Sequence, residues 1–351
     1  MKQLKPETNS NDKNFDTYIK NMDNGLSYIL AIPKQLKDNC QLIVESYNSG
    51  NNQTKSYEEN ISFALNNLNQ LKRLMMVTEG DPILIPIVPD IEGGPDDQQL
   101  SRESILRNRI EEKFFNCIQN AKEIIKKNTG KEVNEKIFLN GYSASGVFAQ
   151  RFALIHPEII DRCLIGGAAG TIPMPQINDE IAYPIGINDY EELFGKKFSF
   201  EEYKKIQFGY YAAENEEKEP GNYDINGDII VNASQIPAPM HDMSFRGLTT
   251  TKKVGEDQRK KYGETMNERY WRAIDNYKTM GINISGIILR DATHDGIFNS
   301  MQTKCFPYLK SQLLQFYNKR EDLKPELGNC VNEINGHYQK RRNESNDKSR
   351  E

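Results

Sequence analysis

The sequence lacks the marks of several large protein classes. No apolar run among its 351 residues approaches the roughly 18 needed for a transmembrane helix. The N-terminus, Met1 to Asp16, is polar and has no apolar stretch of the kind a secretory signal carries, so a cytoplasmic protein without membrane contacts is expected. Charge of either sign is not in excess: 45 Lys and Arg stand against 50 Asp and Glu, for a net charge of −5, which offers nucleic acid no electrostatic footing. The five cysteines (Cys40, Cys117, Cys163, Cys305 and Cys330) form no C-x-x-C pair and no metal-ligand spacing, and an odd number argues against a complete disulfide framework. Cys117 and Cys163 fall in apolar periodic runs and are expected as buried free thiols. No metal or cofactor is expected. Histidine is scarce as well, with four in the chain. There is no internal repeat and no low-complexity block.

What is present is an alternation of apolar strands and amphipathic helices, with the polarity gathered at the two ends. Met1 to Lys13 reads as a disordered lead-in, and the lead-in as a whole is set at residues 1–20. Leu26 to Ile32 and Gln41 to Tyr47 read as strands, Tyr57 to Val77 as a helix, and Pro82 to Pro89 as a strand closed by the turn residues Asp90 to Asp97. Ile110, Phe114, Cys117, Ile118, Ala121, Ile124 and Ile125 recur at helical spacing, with Gly130 as the stop. Later elements are Ile206 to Ala213 (strand), Tyr262 to Met280 (helix), Ile282 to Leu289 (strand) and Thr303 to Tyr317 (helix). This order predicts one α/β domain over residues 21–317, its sheet mostly parallel and covered by helices on both faces. Two stretches without a clear pattern, about 171–205 and 221–263, are expected as insertions that build a pocket. A charged tail is expected over 318–351.

The most specific stretch runs from Ile137 to Ala149: an apolar strand, then Gly141-Tyr142-Ser143-Ala144-Ser145-Gly146, then a helical pattern (Val147, Phe148, Arg151, Phe152, Leu154, Ile155). A second strand-like run, Cys163 to Gly167, follows. This is the context of a nucleophile elbow, with Ser145 where the second glycine of G-x-S-x-G usually sits. A serine on such a sharp turn needs small residues two places to either side, which Gly141 and Ser145 supply around Ser143. The helix then opens at the serine, so its free N–H groups and positive dipole end face an oxygen that becomes negative during acyl transfer.

Such a serine needs a base. His156 closes the helix after the elbow, His241 lies in a polar loop and His337 in the tail. His294 directly follows the last strand, at the carboxyl end of the sheet where open α/β folds bind ligands. It also respects the chain order serine, acid, histidine. The acid should lie just beyond a strand between them, which points to the segment after Tyr210 to Ala213. Glu214, Glu216, Glu217, Glu219 and, further on, Asp224 all compete there, and Glu216 is favoured. The oxyanion hole is expected from the backbone N–H of Ala144 and one N–H of the loop after the Gln41 to Tyr47 strand, with Asn48 as the choice.

These motifs resemble a group of bacterial α/β-hydrolases near the polyhydroxybutyrate-depolymerase-like and feruloyl-esterase-like enzymes. The resemblance rests on the elbow, the following Phe148 to Leu154 with His156-Pro157, the run Tyr183 to Tyr190 with Gly195, the acid loop and His294, and it covers roughly residues 25 to 317. It implies the α/β-hydrolase fold, Ser143 as nucleophile, Glu216 at the acid position and His294 as base. Family members tend to read Gly-Glu-x-Asp in the acid loop, where this chain has Ala213-Glu214-Asn215-Glu216. The implied activity is hydrolysis of a small-molecule carboxylic ester through an acyl-enzyme, without cofactor. The alternatives are a peptidase or acyltransferase using the same triad, and a hydrolase-fold protein that binds a ligand or partner without chemistry.

Overall fold

The computed structural model describes residues 14–47, 56–75, 80–89, 97–176, 180–213, 257–258, 260–263, 266–289, 294 and 306–319. Its centre is an eight-stranded sheet in the order β1-β2-β4-β3-β5-β6-β7-β8. The strands are β1 (Phe15–Asn21), β2 (Ser27–Pro33), β3 (Ile43–Glu45), β4 (Ile83–Ile87), β5 (Ile137–Tyr142), β6 (Ile160–Gly166), β7 (Gln207–Ala213) and β8 (Ile284–Leu289). β2 is antiparallel to both β1 and β4, and every other neighbouring pair is parallel. This is the α/β-hydrolase architecture expected from the sequence.

The helices are α1 (Tyr57–Met75), α2 (Arg102–Asn108), α3 (Ile110–Thr129), α4 (Ala144–Ile155), α5 (Tyr190–Phe194), α6 (Phe200–Lys205), α7 (Met266–Thr279) and α8 (Phe306–Lys319). Side chains of a strand point alternately to the two faces, and the central strands are apolar on both. On one face Val44, Leu139, Cys163 and Tyr210 pack against α3, α4 and α7. There Phe114 of α3 lies 4.7 Å from Phe148 and 4.8 Å from Phe152 of α4, measured between ring centroids. On the other face Ile43, Phe138, Leu164 and Ile287 pack against Ala64 and Leu68 of α1 and Leu313 and Phe316 of α8. Every residue of α4 from Ser145 to Ile155 is buried, which marks a helix enclosed by the domain rather than laid over it.

Arg162, 4 % exposed on β6, secures α8. Its Nη1 donates to the carbonyl oxygens of Phe316 and Tyr317, its Nη2 donates to Gln41 Oε1 at 2.8 Å, and its guanidinium lies 5.0 Å from the centre of the Phe138 ring. A cation placed on late carbonyls of a helix satisfies acceptors that have no intrahelical donor and complements the dipole.

Two regions differ from expectation. Residues 15–20, assigned to the lead-in, belong with Asn21 to edge strand β1, in full register with β2. The Asp23-Asn24-Gly25 turn that joins them, with Met22 N donating to Leu26 O at 2.8 Å, is a hairpin signal. The segment expected as an unpatterned insertion near 171–205 is instead bound into the domain. Tyr183, Tyr190 and Tyr203 are fully buried in the core. The Tyr190 hydroxyl donates to Ile155 O at 2.9 Å, and the Tyr203 and Tyr277 hydroxyls meet at 2.7 Å. Cys40, Cys117 and Cys163 are buried free thiols. Among the described residues no helix is long and apolar enough to cross a membrane.

Candidate active site

β5 runs buried to Gly141, apolar except for Asn140, and the chain turns at Ser143 and enters α4 at Ala144. Ser143 has φ 60° and ψ −126°, a left-handed conformation that costs a non-glycine residue about 1–3 kcal/mol. The surroundings hold it there. Ser143 N donates to Gly166 O at 2.9 Å, and Val147 N donates to Ser143 O at 3.0 Å. A Cβ at Gly141 would collide with the backbone carbonyl of Ser145, and a Cβ at Gly146 would lie 2.7 Å from Gly166 O. The first of these positions is the small residue the motif demanded.

Ser145 does more than stay small. It is 1 % exposed, and its Oγ donates to Tyr142 O and accepts from Tyr142 N, each at 2.8 Å. This hydroxyl fastens the end of the strand to the first turn of the helix. The motif asked only for bulk to be absent at this position, and the sequence carries no separate signal for the hydrogen bonds.

His294 Nε2 lies 2.9 Å from Ser143 Oγ. The two residues are 151 positions apart in the chain, and the sheet brings together the serine from the end of β5 and the histidine from beyond the end of β8. Tyr142 supports the pair from the side. Its hydroxyl donates to the backbone carbonyl of His294, its ring centre is 5.1 Å from that of the imidazole, and it stacks on Tyr211 at 5.9 Å. An aromatic between the glycine and serine of the elbow is the signal that could have singled Tyr142 out.

Ala144 is the first residue of α4, so its N–H has no intrahelical acceptor and stands at the positive end of the helix dipole, beside the serine. Asn48, Glu214, Glu216, Glu217, Glu219, Asp224 and His241 lie outside the described residues. His156 is far from the pair in role. Its Nδ1 is 3.1 Å from Glu158 Oε1, and its ring stacks on Phe115 at 5.0 Å. Burial holds its pKa below the usual histidine value, against the opposing pull of Glu158. Among the described residues no group of three or more His, Cys, Asp or Glu side chains could hold a metal ion.

Chemically, the arrangement offers a hydroxyl in hydrogen-bond reach of an imidazole and a helix N-terminus positioned for an anion.

No protein-family model matches this sequence, and no curated protein does. Solved structures are similar to it at low TM-scores. One is poly(aspartic acid) hydrolase-1 from Sphingomonas sp. KT-1, at 14% identity over 86% of this chain and 98% of that one, with a TM-score of 0.49. A second is the Francisella virulence factor BioJ, at 11% identity over 87% and 85% of the two chains, with a TM-score of 0.48. A third is the acylaminoacyl peptidase of Pyrococcus horikoshii, at 14% identity and a TM-score of 0.45. There the match covers 92% of this chain but 44% of the peptidase, so the chain spans less than half of that protein.

Proposed function

We propose that this protein is a serine hydrolase that cleaves a small-molecule carboxylic ester through an acyl-enzyme. The observation that carries the reading is the 2.9 Å approach of His294 Nε2 to Ser143 Oγ, made at a serine held in a left-handed turn at the mouth of a helix. Ser143 Oγ attacks the ester carbonyl as His294 Nε2 takes its proton. The carbonyl oxygen becomes an oxyanion against the Ala144 N–H, with the Asn48 N–H as its second donor. The imidazolium then gives its proton to the departing alcohol, leaving Ser143 acylated. A water, deprotonated by the same imidazole, attacks the acyl carbonyl, and collapse of that intermediate releases the acid and returns the proton to Ser143. Glu216 is the proposed partner of His294 Nδ1, holding its tautomer and stabilising the imidazolium.

A fluorophosphonate probe and a series of p-nitrophenyl esters of graded chain length test this. Labelling should fall on Ser143. Ester turnover should fall roughly 10⁴-fold or more in Ser143→Ala and in His294→Ala, because members of a triad act as a unit. Wild-type activity should decline as pH drops through about 6 to 7, the histidine range. Amide variants at Glu214, Glu216, Glu217, Glu219 and Asp224 identify the acid, with the largest loss expected at Glu216. A chain that binds esters yet neither labels nor turns over is a hydrolase-fold binding protein. Turnover of amides in preference to esters makes it a peptidase.

A further inference from the structure

β3 ends in Glu45, and this carboxyl is buried, 8 % exposed, beside Asn140, 3 % exposed, its direct neighbour in the β5 register. Asn140 Nδ2 donates to Glu45 Oε2, while Asn140 Oδ1 is buried with no hydrogen-bond partner among the described residues. A carboxylate accepts the amide N–H but has no proton to offer Oδ1. A neutral carboxylic acid accepts the N–H and also carries an O–H of the kind that a buried amide oxygen lacks here.

The next residue extends the contact. Ser46 N donates to Asn140 O at 3.1 Å, and Ser46 Oγ donates to Ser145 O at 2.7 Å. Glu45 and Ser46 therefore grip both arms of the elbow, the strand before Ser143 and the first turn of the helix after it.

We propose that Glu45, hydrogen-bonded to Asn140, is a positioning residue that holds the end of β3 against the elbow and so fixes the Ser143–Ala144 turn that presents the oxyanion donor. This rests on the reading of Ser143 as nucleophile. Burial pushes the Glu45 carboxyl up to about 8, and the Asn140 hydrogen bond acts in the opposite direction. The titratable and charged groups on its face of the sheet are the phenols Tyr47, just beyond the end of β3, Tyr142 on β5, Tyr211 on β7 and Tyr317 on α8, the Arg162 guanidinium of β6 lying over the Phe138 ring, and Asp81 at the Tyr317 hydroxyl. β4 presents Ile83, Ile85 and Ile87 there, and α1 presents Asn60, bonded to the Tyr47 hydroxyl at 2.8 Å. No charged side chain among the described residues offsets a carboxylate at Glu45. Ionisation breaks the acid–amide pair and places a negative charge beneath an oxyanion site, which weakens transition-state stabilisation and leaves ground-state binding alone.

The test is kcat and KM for an ester substrate from pH 6.5 to 10 in wild type, Glu45→Gln and Glu45→Ala, with fluorophosphonate labelling and thermal unfolding of each. Glutamine keeps a neutral donor and acceptor at all pH values. Wild-type kcat should fall about tenfold above pH 8 to 9 with KM unchanged. Glu45→Gln should match wild type at pH 7 and stay level to pH 9.5. Glu45→Ala should lose about tenfold to hundredfold in kcat at pH 7 with little change in KM. If Glu45→Ala does not fold, the pH profile of Glu45→Gln decides. The assignment is overturned by a Glu45→Gln profile that keeps the wild-type alkaline fall, or by a folded Glu45→Ala with wild-type kcat. A wild type that never labels at Ser143 overturns the hydrolase reading, and this assignment with it. A wild type that labels and turns over while either variant behaves as just stated overturns this assignment alone.

Discussion

At Ser143 the backbone holds a conformation that glycine adopts without strain and an L side chain does not. On the proposed reading the hydroxyl is the nucleophile, so the fold keeps a locally unfavourable residue there. Replacing Ser143 by glycine should release that strain and replacing it by alanine should not. Both variants should be inactive, and Ser143→Gly should be about 1 kcal/mol more stable than Ser143→Ala, read by urea unfolding with m unchanged. Equal stability of the two would place the strain elsewhere. Tyr142 contributes differently, through one hydrogen bond to the carbonyl of His294. A net hydrogen bond is worth about 0.5–1.5 kcal/mol, so Tyr142→Phe should lower kcat by roughly twofold to tenfold and leave KM alone. A larger loss, or a change carried mainly in KM, would mean that the phenol meets the substrate. That Ser143 and His294 come together was legible in the sequence, since one stands at the end of β5 and the other lies beyond β8, where local pattern and chain order suffice. Glu45 was not legible. One acidic residue ending a short apolar run has no periodicity to betray it, and its partner lies 95 positions away.

At the scale of elements, the long ones were readable. α3 and α4 span 20 and 12 residues, enough turns for an apolar stripe to show its 3.6-residue period. α5 and α6, of 5 and 6 residues, are too short for any period. Their place is set by Tyr190 and Tyr203 reaching across to other elements, information that exists only in three dimensions. β1 hid for another reason: it is an edge strand that buries Phe15, Thr17 and Tyr18 but leaves its other residues partly or fully exposed, so its alternation is diluted by Asp16, Lys20 and Asn21. The elbow is the element most exposed to small change. Gly141→Ala directs a methyl into the backbone carbonyl of Ser145, which cannot rotate away as a side chain would. The strand and helix must separate, moving Ser143 from His294. The expected outcome is loss of at least about a hundredfold in kcat together with about 1–3 kcal/mol in stability. Full activity in Gly141→Ala would show that the elbow tolerates a shift the geometry forbids.

For the molecule as a whole, two buried acids make stability depend on pH in an unusual sense. Burial raises Glu45 to about 8 and Glu111 to about 7, the latter in spite of Arg109 Nε 3.0 Å from its carboxyl. In the unfolded chain both ionise near the ordinary glutamate value. Above that value the folded state holds protons the unfolded state has released, so stability falls as pH rises, until the folded groups ionise too. His156, held below its ordinary value by burial, acts the other way: the stability it contributes is present above the ordinary histidine range and is lost as pH falls through it. The interval from about pH 6.5 to 8 therefore isolates the acids from the histidine. Over that interval Glu45 alone should remove about 2 kcal/mol. Glu111 should remove less, since it ionises earlier in the interval. Urea unfolding at pH 6.5 and 8.5 measures the difference. The wild-type fall should shrink by about 2 kcal/mol in Glu45→Gln and by a smaller amount in Glu111→Gln. These glutamates lie on opposite faces of the sheet, one beside β5 and the other at the start of α3, so the two effects should add in the double variant. A wild-type fall that persists undiminished in Glu45→Gln would mean that Glu45 is already ionised in the folded protein at pH 6.5. The acid–amide pair beneath the elbow would then not exist, and the alkaline loss of kcat would have to come from another group.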